Sequence, residues 1–393
     1  MIGRIVPLMA AAVLWGGAAS TDAWAAQQPG LAVRHGVLTK DGRPYRGAGA
    51  NYFDLFLRVL HDPTNTSSLR GLEQLGKAGI PFVRFATTYG VADLKVYFEQ
   101  QEEYFRRLDL VVRDAERSKV GLIPSMLWTP ELPDLIGEHR DQWGNPESKT
   151  LAMMRQYVGD VVTRYKNSPA LWGWEFGNEL NLGLDLPNAD QFRKPGGTER
   201  DDLHAAHLAV MLPEFAREVR RHDSWRPIFS GNSHPRASAW HNTAEHNWKP
   251  DTKEQFKEII LRDNPPPLDT IGVHLYGATS VQKEMAAWAT NRLVWLRTLR
   301  DIAREAGRPI FIGEFGLPAK PGDTSTRAEF EELIAEMEKA EVDLAAFWVF
   351  DFSPQEGEWN ASFENAHAYR IQVTAEANRR WNREALKTET LKR

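Results

Sequence analysis

The 393-residue chain contains no cysteine. Disulfides, thiolate metal sites and a cysteine-linked lipid anchor are therefore excluded. It has no low-complexity linker and no internal repeat, so nothing marks a second domain. Past residue 25 no apolar run approaches the roughly 20 residues needed to span a bilayer. Excess positive charge is missing too. The formal net charge is −5, which argues against nucleic acid as a partner. Hydrophobic residues at 42% and charged residues at 26% are ordinary for a globular protein. The length suffices to bury a full core without staples.

What the first residues do have is a secretory pattern. Arg4 supplies a positive start, Ile5 to Ser20 is mostly apolar and small, and Ala23-Trp24-Ala25 fits a small-x-small cleavage site. The stretch is short for a bilayer, and Gly16-Gly17 weakens it as a helix. We therefore read residues 1–25 as a signal peptide and 26–393 as one mature domain, secreted or periplasmic, off the membrane once cleaved. Cleavage removes one cation (Arg4) and one anion (Asp22), so the net charge stays at −5.

Short apolar segments alternate with longer amphipathic ones. Strands are predicted at Arg46–Asn51, Pro81–Ala86, Val120–Leu127, Leu171–Glu179, Pro227–Gly231, Thr270–Tyr276, Pro309–Glu314 and Leu344–Phe350. They lack polar alternation, as strands buried on both faces do. Helices are predicted between them at Ser68–Ala78, Leu94–Arg117, Lys149–Lys166, Arg200–Arg221, Lys253–Arg262, Ser280–Ala306 and Ser325–Ala340. Strands alternating with helices imply parallel pairing through crossovers. The expected fold class is α/β, a (β/α)8 TIM barrel. Ala78-Gly79-Ile80-Pro81 and Ala306-Gly307-Arg308-Pro309 repeat one helix-stop, strand-start signal. Residues 31–45 resemble a short β-hairpin turning at Asp41-Gly42 and plugging the barrel bottom. The charged tail after Trp381 is expected to fray. The long irregular stretches Trp128–Ser148, Leu180–Thr198 and Asn232–Asp251 follow strands, where barrels build active sites.

Two predicted strands end in a carboxylate: Ala170-Leu-Trp-Gly-Trp-Glu-Phe-Gly-Asn-Glu179 and Pro309-Ile-Phe-Ile-Gly-Glu314. Ending an apolar run on a charge is costly unless the charge is paired or used. Two carboxyl groups facing each other at a barrel mouth suit acetal cleavage. One protonates the leaving oxygen, and the other attacks or activates water at the anomeric carbon. Glu179 is the candidate acid/base and Glu314 the candidate nucleophile. Asn178 stands ready to orient a sugar hydroxyl.

The segment Trp174-Glu175-Phe176-Gly177-Asn178-Glu179 resembles the acid/base signature of glycoside hydrolase family 5, a family of cellulases and β-mannanases within a clan of retaining (β/α)8 enzymes. Ile312-Gly313-Glu314-Phe315-Gly316 resembles its nucleophile segment, and supporting positions fall in order: Arg84, the pair His274 and Tyr276, and Trp348. The resemblance implies that Arg84 and Tyr276 hold Glu314 ionised. It further implies that His274 contacts substrate or tunes Glu179, and that Trp348 floors the sugar at the cleavage point. It implies a β-linked polysaccharide or oligosaccharide as substrate, β-mannan first and β-glucan second, with endo action preferred over exo. No metal or organic cofactor is implied. Two departures concern the groove: Leu180 follows the acid/base where Pro is common, and Ser125-Met-Leu-Trp128-Thr stands where many members have a histidine.

Other readings of these residues stay open. The scaffold could be a silent carbohydrate-binding protein or a transglycosylase, and a metal-dependent hydrolase is a further rival. Glu175 shares strand parity with Glu179 and is read as structural, paired with Arg84 or another interior donor. Among 14 tryptophans, Trp128, Trp143, Trp240 and Trp248 lie in long loops, where each either stacks on outer sugars or anchors its own loop. His234, His241 and His246, with Glu245, form a polar groove loop, a metal site being the lesser reading. Asn360-Ala361-Ser362 matches a glycosylation sequon. No feature fixes an oligomeric state.

Overall fold

The computed structural model describes residues 28–276, 287–319 and 325–390. The expected signal segment 1–25 and the first part of the expected 280–306 helix lie outside the described residues. Eight parallel strands form the barrel: β4 (Gly47–Asn51), β5 (Phe82–Ala86), β6 (Gly121–Leu127), β7 (Trp174–Gly177), β8 (Ile228–Phe229), β9 (Ile271–Tyr276), β10 (Ile310–Gly316) and β11 (Leu344–Phe347). They pair in the order β8-β7-β6-β5-β4-β11-β10-β9. The seam between β8 and β9 is crossed by side chains. Thr270 Oγ1 donates to the Ile228 carbonyl at 2.7 Å, and Asn264 Oδ1 accepts from both Ser230 Oγ and the Gly272 amide at 2.8 Å.

Helices follow the strands on the outside. The two predicted stop signals work as expected. Gly79 (φ +85°) and Gly307 (φ +63°) take the left-handed backbone that ends a helix before the next strand. The predicted helix Leu94–Arg117 is two helices, Val91–Glu99 and Gln101–Ser118. Gln100, with φ −139° and ψ 49°, caps both. No Gly or Pro marks that break, so periodicity ran through it. The predicted Arg200–Arg221 helix starts later, at Ala205, after a 3-10 turn at Glu199–Asp201. The tail does not fray at Trp381. A helix runs from Tyr369 to Thr390, and Trp381 is fully buried, so its indole anchors the segment. No helix among the described residues is long and apolar enough to cross a membrane.

The N-terminal hairpin is a three-stranded antiparallel sheet of β1 (Leu31–Arg34), β2 (Val37–Lys40) and β3 (Arg43–Pro44). It turns at His35-Gly36 as well as at Asp41-Gly42. Leu31 and Leu38 from it pack with Phe82, Ile123, Trp172, Phe229, Phe311 and Leu344 in one closed cluster at the starts of the barrel strands. Burying each leucine contributes about 1.5–3 kcal/mol. That cluster fills the lower barrel, so polar chemistry is confined to the opposite end.

Candidate active site

The site grows from the C-terminal ends of the barrel strands. β7 stops at Gly177, two residues short of the predicted end, because Glu179 takes a left-handed conformation (φ +51°). A non-glycine residue there is uncommon and costs about a kcal/mol or more. Its amide donates to the Gly231 carbonyl at 2.8 Å, which fixes the turn. Gly231 (φ +75°) must itself lack a side chain, since a Cβ would stand 1.8 Å from the Gly177 oxygen. The chain thus bends just past the strand and swings the Glu179 carboxyl over the mouth.

Arg84, fully buried on β5, is the hub beneath it. Its Nε donates to Glu175 Oε1 at 2.6 Å. Nη1 donates to Glu314 Oε1 at 2.6 Å and to Asn51 Oδ1 at 3.0 Å. Nη2 donates to Asn178 Oδ1 at 2.8 Å. The Trp128 ring covers the guanidinium, 4.6 Å from its carbon. Tyr276, at the end of β9, donates its hydroxyl to Glu314 Oε2. Both oxygens of Glu314 are therefore held, and an anion there is matched by a cation and a phenol.

His274 sits between the two candidate catalytic groups. Its Nδ1 is 2.9 Å from Glu179 Oε1 and 3.5 Å from Glu314 Oε2. One atom each of Glu179, His274 and Glu314 lie within 4.8 Å of one another. Burial pushes the Glu179 carboxyl up. The His274 hydrogen bond and charge, aided by Ser233 and His234, outweigh it and bring the group to about 2. Burial likewise raises Glu175, with Arg84 opposing. A metal at the Glu179–His274–Glu314 group would have to displace or face Arg84, already 2.6 Å from Glu314, so the donor set suits an acid–base pair better than a cation.

A family model described as cellulase (glycosyl hydrolase family 5) matches residues 49–353. The chain belongs to glycosyl hydrolase family 5. The rice (Oryza sativa subsp. japonica) protein mannan endo-1,4-beta-mannosidase 8 is 24% identical over 323 residues, covering 72% of this chain and 79% of the rice protein. A probable mannan endo-1,4-beta-mannosidase F of Aspergillus flavus is 24% identical over 225 residues, covering 54% of this chain and 42% of that protein. The crystal structure of an endo-1,4-beta-mannanase from Rhizomucor miehei superposes with a TM-score of 0.61 at 15% identity, over 89% of this chain and 99% of that one. That likeness supports the (β/α)8 fold. The chain is accordingly an O-glycosyl hydrolase.

In this family 5 hydrolase the predicted site residues Arg84, Trp128, Asn178, Glu179, His274, Tyr276, Glu314 and Trp348 come together at one end of the barrel. Asn178, Glu179, Glu314, Tyr276, Trp348 and Trp128 line one cavity of about 890 Å³. Trp348 lies just beyond β11 and its Nε1 donates to Gln355 Oε1 at 2.8 Å. Of the other loop tryptophans, Trp248 lines the cavity and is 49% exposed. Trp143 is not a groove residue: it is fully buried, and its Nε1 donates to the Pro130 carbonyl at 3.1 Å. Trp240 donates to Glu258 at 2.8 Å, anchoring its own loop. The loop histidines part company as well. His234 lines the cavity, while His241 pairs with Asp251 at 2.9 Å. Asn360 of the sequon is buried and its amide donates to Glu356 at 2.5 Å, so it does not present an accessible acceptor.

Sequence reasoning missed several residues. Asn51 bonds Arg84 and also donates to the Gly313 carbonyl at 2.9 Å. Phe53 is the centre of an aromatic shelf, 5.5 Å from Tyr89, 4.9 Å from Trp128 and 5.2 Å from Phe352. Trp359 packs on Tyr276 at 5.3 Å. Only Asn51 and Phe53 carried a usable signal, because Asn51 closes the first barrel strand and Phe53 lies two residues beyond it, at the mouth where the site is built.

Proposed function

We propose that the protein is an endo-acting β-mannanase that cleaves by double displacement and is exported after loss of its signal segment. The observation that carries this reading is the close approach of Glu179 and Glu314, with one oxygen of each within 4.8 Å of the other. Retaining enzymes keep their carboxyl groups about 5–5.5 Å apart, whereas inverting enzymes leave roughly 6.5–9.5 Å for a water. The names of the rice and Aspergillus relatives favour mannan and endo action. A cavity with aromatic faces at Tyr89 and Trp248, both well exposed, suits sugar rings along a chain.

In the first step Glu314 attacks the anomeric carbon as Glu179 protonates the departing oxygen. The bond to the leaving sugar breaks, and a glycosyl ester forms on Glu314. In the second step Glu179, now a carboxylate, takes a proton from water, which displaces Glu314 and restores the β-anomer. The proton used in the first step belongs to the Glu179–His274 pair, whose facing atoms are 2.9 Å apart. Burial raises the Glu179 carboxyl and the His274 contact lowers it, and the proton passes from Glu179 to the leaving oxygen as that oxygen gathers charge. Asn178, oriented by Arg84, offers its amide N–H to a sugar hydroxyl, and Trp348 lies under the ring.

The test is turnover on a panel of β-mannans, β-glucans and xylans, with the product anomer read by proton NMR in the first minutes. Fastest release from mannan, with β-product first, is expected. Preference for β-glucan would move the substrate and keep the mechanism. An α-product would overturn double displacement.

A further inference from the structure

One buried carboxylate at the site plays no part in the steps above. Glu175 on β7 is fully buried. It takes the Nε of the same guanidinium that takes Glu314 on Nη1, both at 2.6 Å. Its other oxygen, Oε2, is buried with no hydrogen-bond partner among the described residues. The Ser125 hydroxyl stands close enough to ease the Glu175 charge, but its well-formed hydrogen bond goes to the Gly177 carbonyl at 2.9 Å. Gly231 packs so tightly that a Cβ there would stand 3.0 Å from the Glu175 carboxyl carbon. Substrate cannot reach this group. A half-satisfied buried carboxylate is a costly tether for an arginine, and a glutamine oxygen would tether Nε equally well.

We propose that Glu175 is a positioning residue for the nucleophile. It turns Arg84 so that Nη1 meets Glu314 and Nη2 meets Asn178, and as a second anion it draws part of the guanidinium charge away from Glu314. A carboxylate with sole possession of a buried guanidinium is over-stabilised and attacks poorly. Sharing Arg84 leaves the Glu314 oxygen free to attack. The other groups facing the pair are His274 and Tyr276 from β9 and Glu179 across the cavity, with Asn51, Asn178 and Ser125 as neutral contacts. The inference rests on Glu314 being the nucleophile.

Glu175→Gln keeps the shape and an acceptor for Arg84 Nε and removes the charge. The acid limb of kcat/KM should move down by about one pH unit, because Glu314 loses a neighbouring anion. The rate of covalent labelling by 2-deoxy-2-fluoro-β-mannosyl fluoride should fall about tenfold, with KM within about twofold and melting temperature not lowered. Glu175→Leu, which removes tether and charge together, should lose more. An unmoved acid limb and a wild-type labelling rate in Glu175→Gln would reduce Glu175 to a structural anchor and overturn the proposal. Should that variant not fold, carbon-13 NMR of labelled glutamates in the unmodified chain and in Glu314→Gln decides. Coupling is reciprocal, so the Glu175 titration must move to lower pH when Glu314 is neutralised, and an unmoved titration refutes the idea. Labelling at Glu314 in the unmodified enzyme checks the nucleophile separately, so failure of either claim is seen on its own.

Discussion

Arg84→Lys perturbs the site at its hub. The guanidinium reaches Glu175, Glu314, Asn51 and Asn178 from one rigid plane. A lysine ammonium is a point donor on a flexible stem and can meet only one of the two carboxylates. If it stays with the fully enclosed Glu175, Glu314 keeps only the Tyr276 hydroxyl and the more distant His274. One charge-assisted hydrogen bond contributes about 1.5–3 kcal/mol. At roughly 1.4 kcal/mol per factor of ten, kcat/KM should fall by about ten- to a hundredfold. The acid limb should rise, since removing a cation from beside Glu314 favours its protonated form. The assay is kcat/KM across pH on an activated aryl β-mannoside, with thermal melting as a control for folding. A folded Arg84→Lys enzyme within threefold of wild type at every pH, with its acid limb unmoved, would refute the account of Arg84.

Other perturbations separate the roles. Glu314→Ala should abolish turnover, with azide restoring part of it as an α-glycosyl azide; full activity without azide would remove Glu314 as nucleophile. Glu179→Gln should slow substrates with poor leaving groups far more than activated ones, and equal losses on both would argue against acid help from Glu179. The same variant tests the pH reading. The Glu179 carboxyl is depressed from 4.5 to about 2, so its contribution to folding is present above about pH 4.5 and lost as pH falls toward 2. Melting curves of Glu179→Gln should therefore decline less between pH 5 and pH 3 than those of the wild type, and parallel declines would count against the depressed carboxyl. Trp143→Ala should destabilise by about 3–5 kcal/mol in chemical denaturation; a loss confined to KM, with stability intact, would return Trp143 to the groove.

The barrel was legible because burial on both faces leaves a strong mark: Gly121-Leu122-Ile123 and Ile310-Phe311-Ile312 contain nothing an exposed strand would carry. The site was legible where function overrides packing, at a charge closing an apolar run. What escaped the sequence depends on contacts between distant elements. Glu179 was expected on a strand, yet it takes a left-handed turn set by the Gly231 carbonyl. Gln100 breaks a helix with no local signal. Trp143 and Trp248 are the same residue in similar loops, and only the packing around them sends one into the core and leaves the other at the groove. The tail after Trp381 is charged by composition but helical because its tryptophan docks.

The most direct test of the central claim is identification of the residue that carries sugar during turnover. The enzyme would be inactivated with 2-deoxy-2-fluoro-β-mannosyl fluoride, digested, and sequenced by tandem mass spectrometry. The account predicts one added sugar on Glu314, within Ile310–Gly316. A label on Glu179 or Glu175, or product of inverted configuration with no labelled peptide, would contradict it.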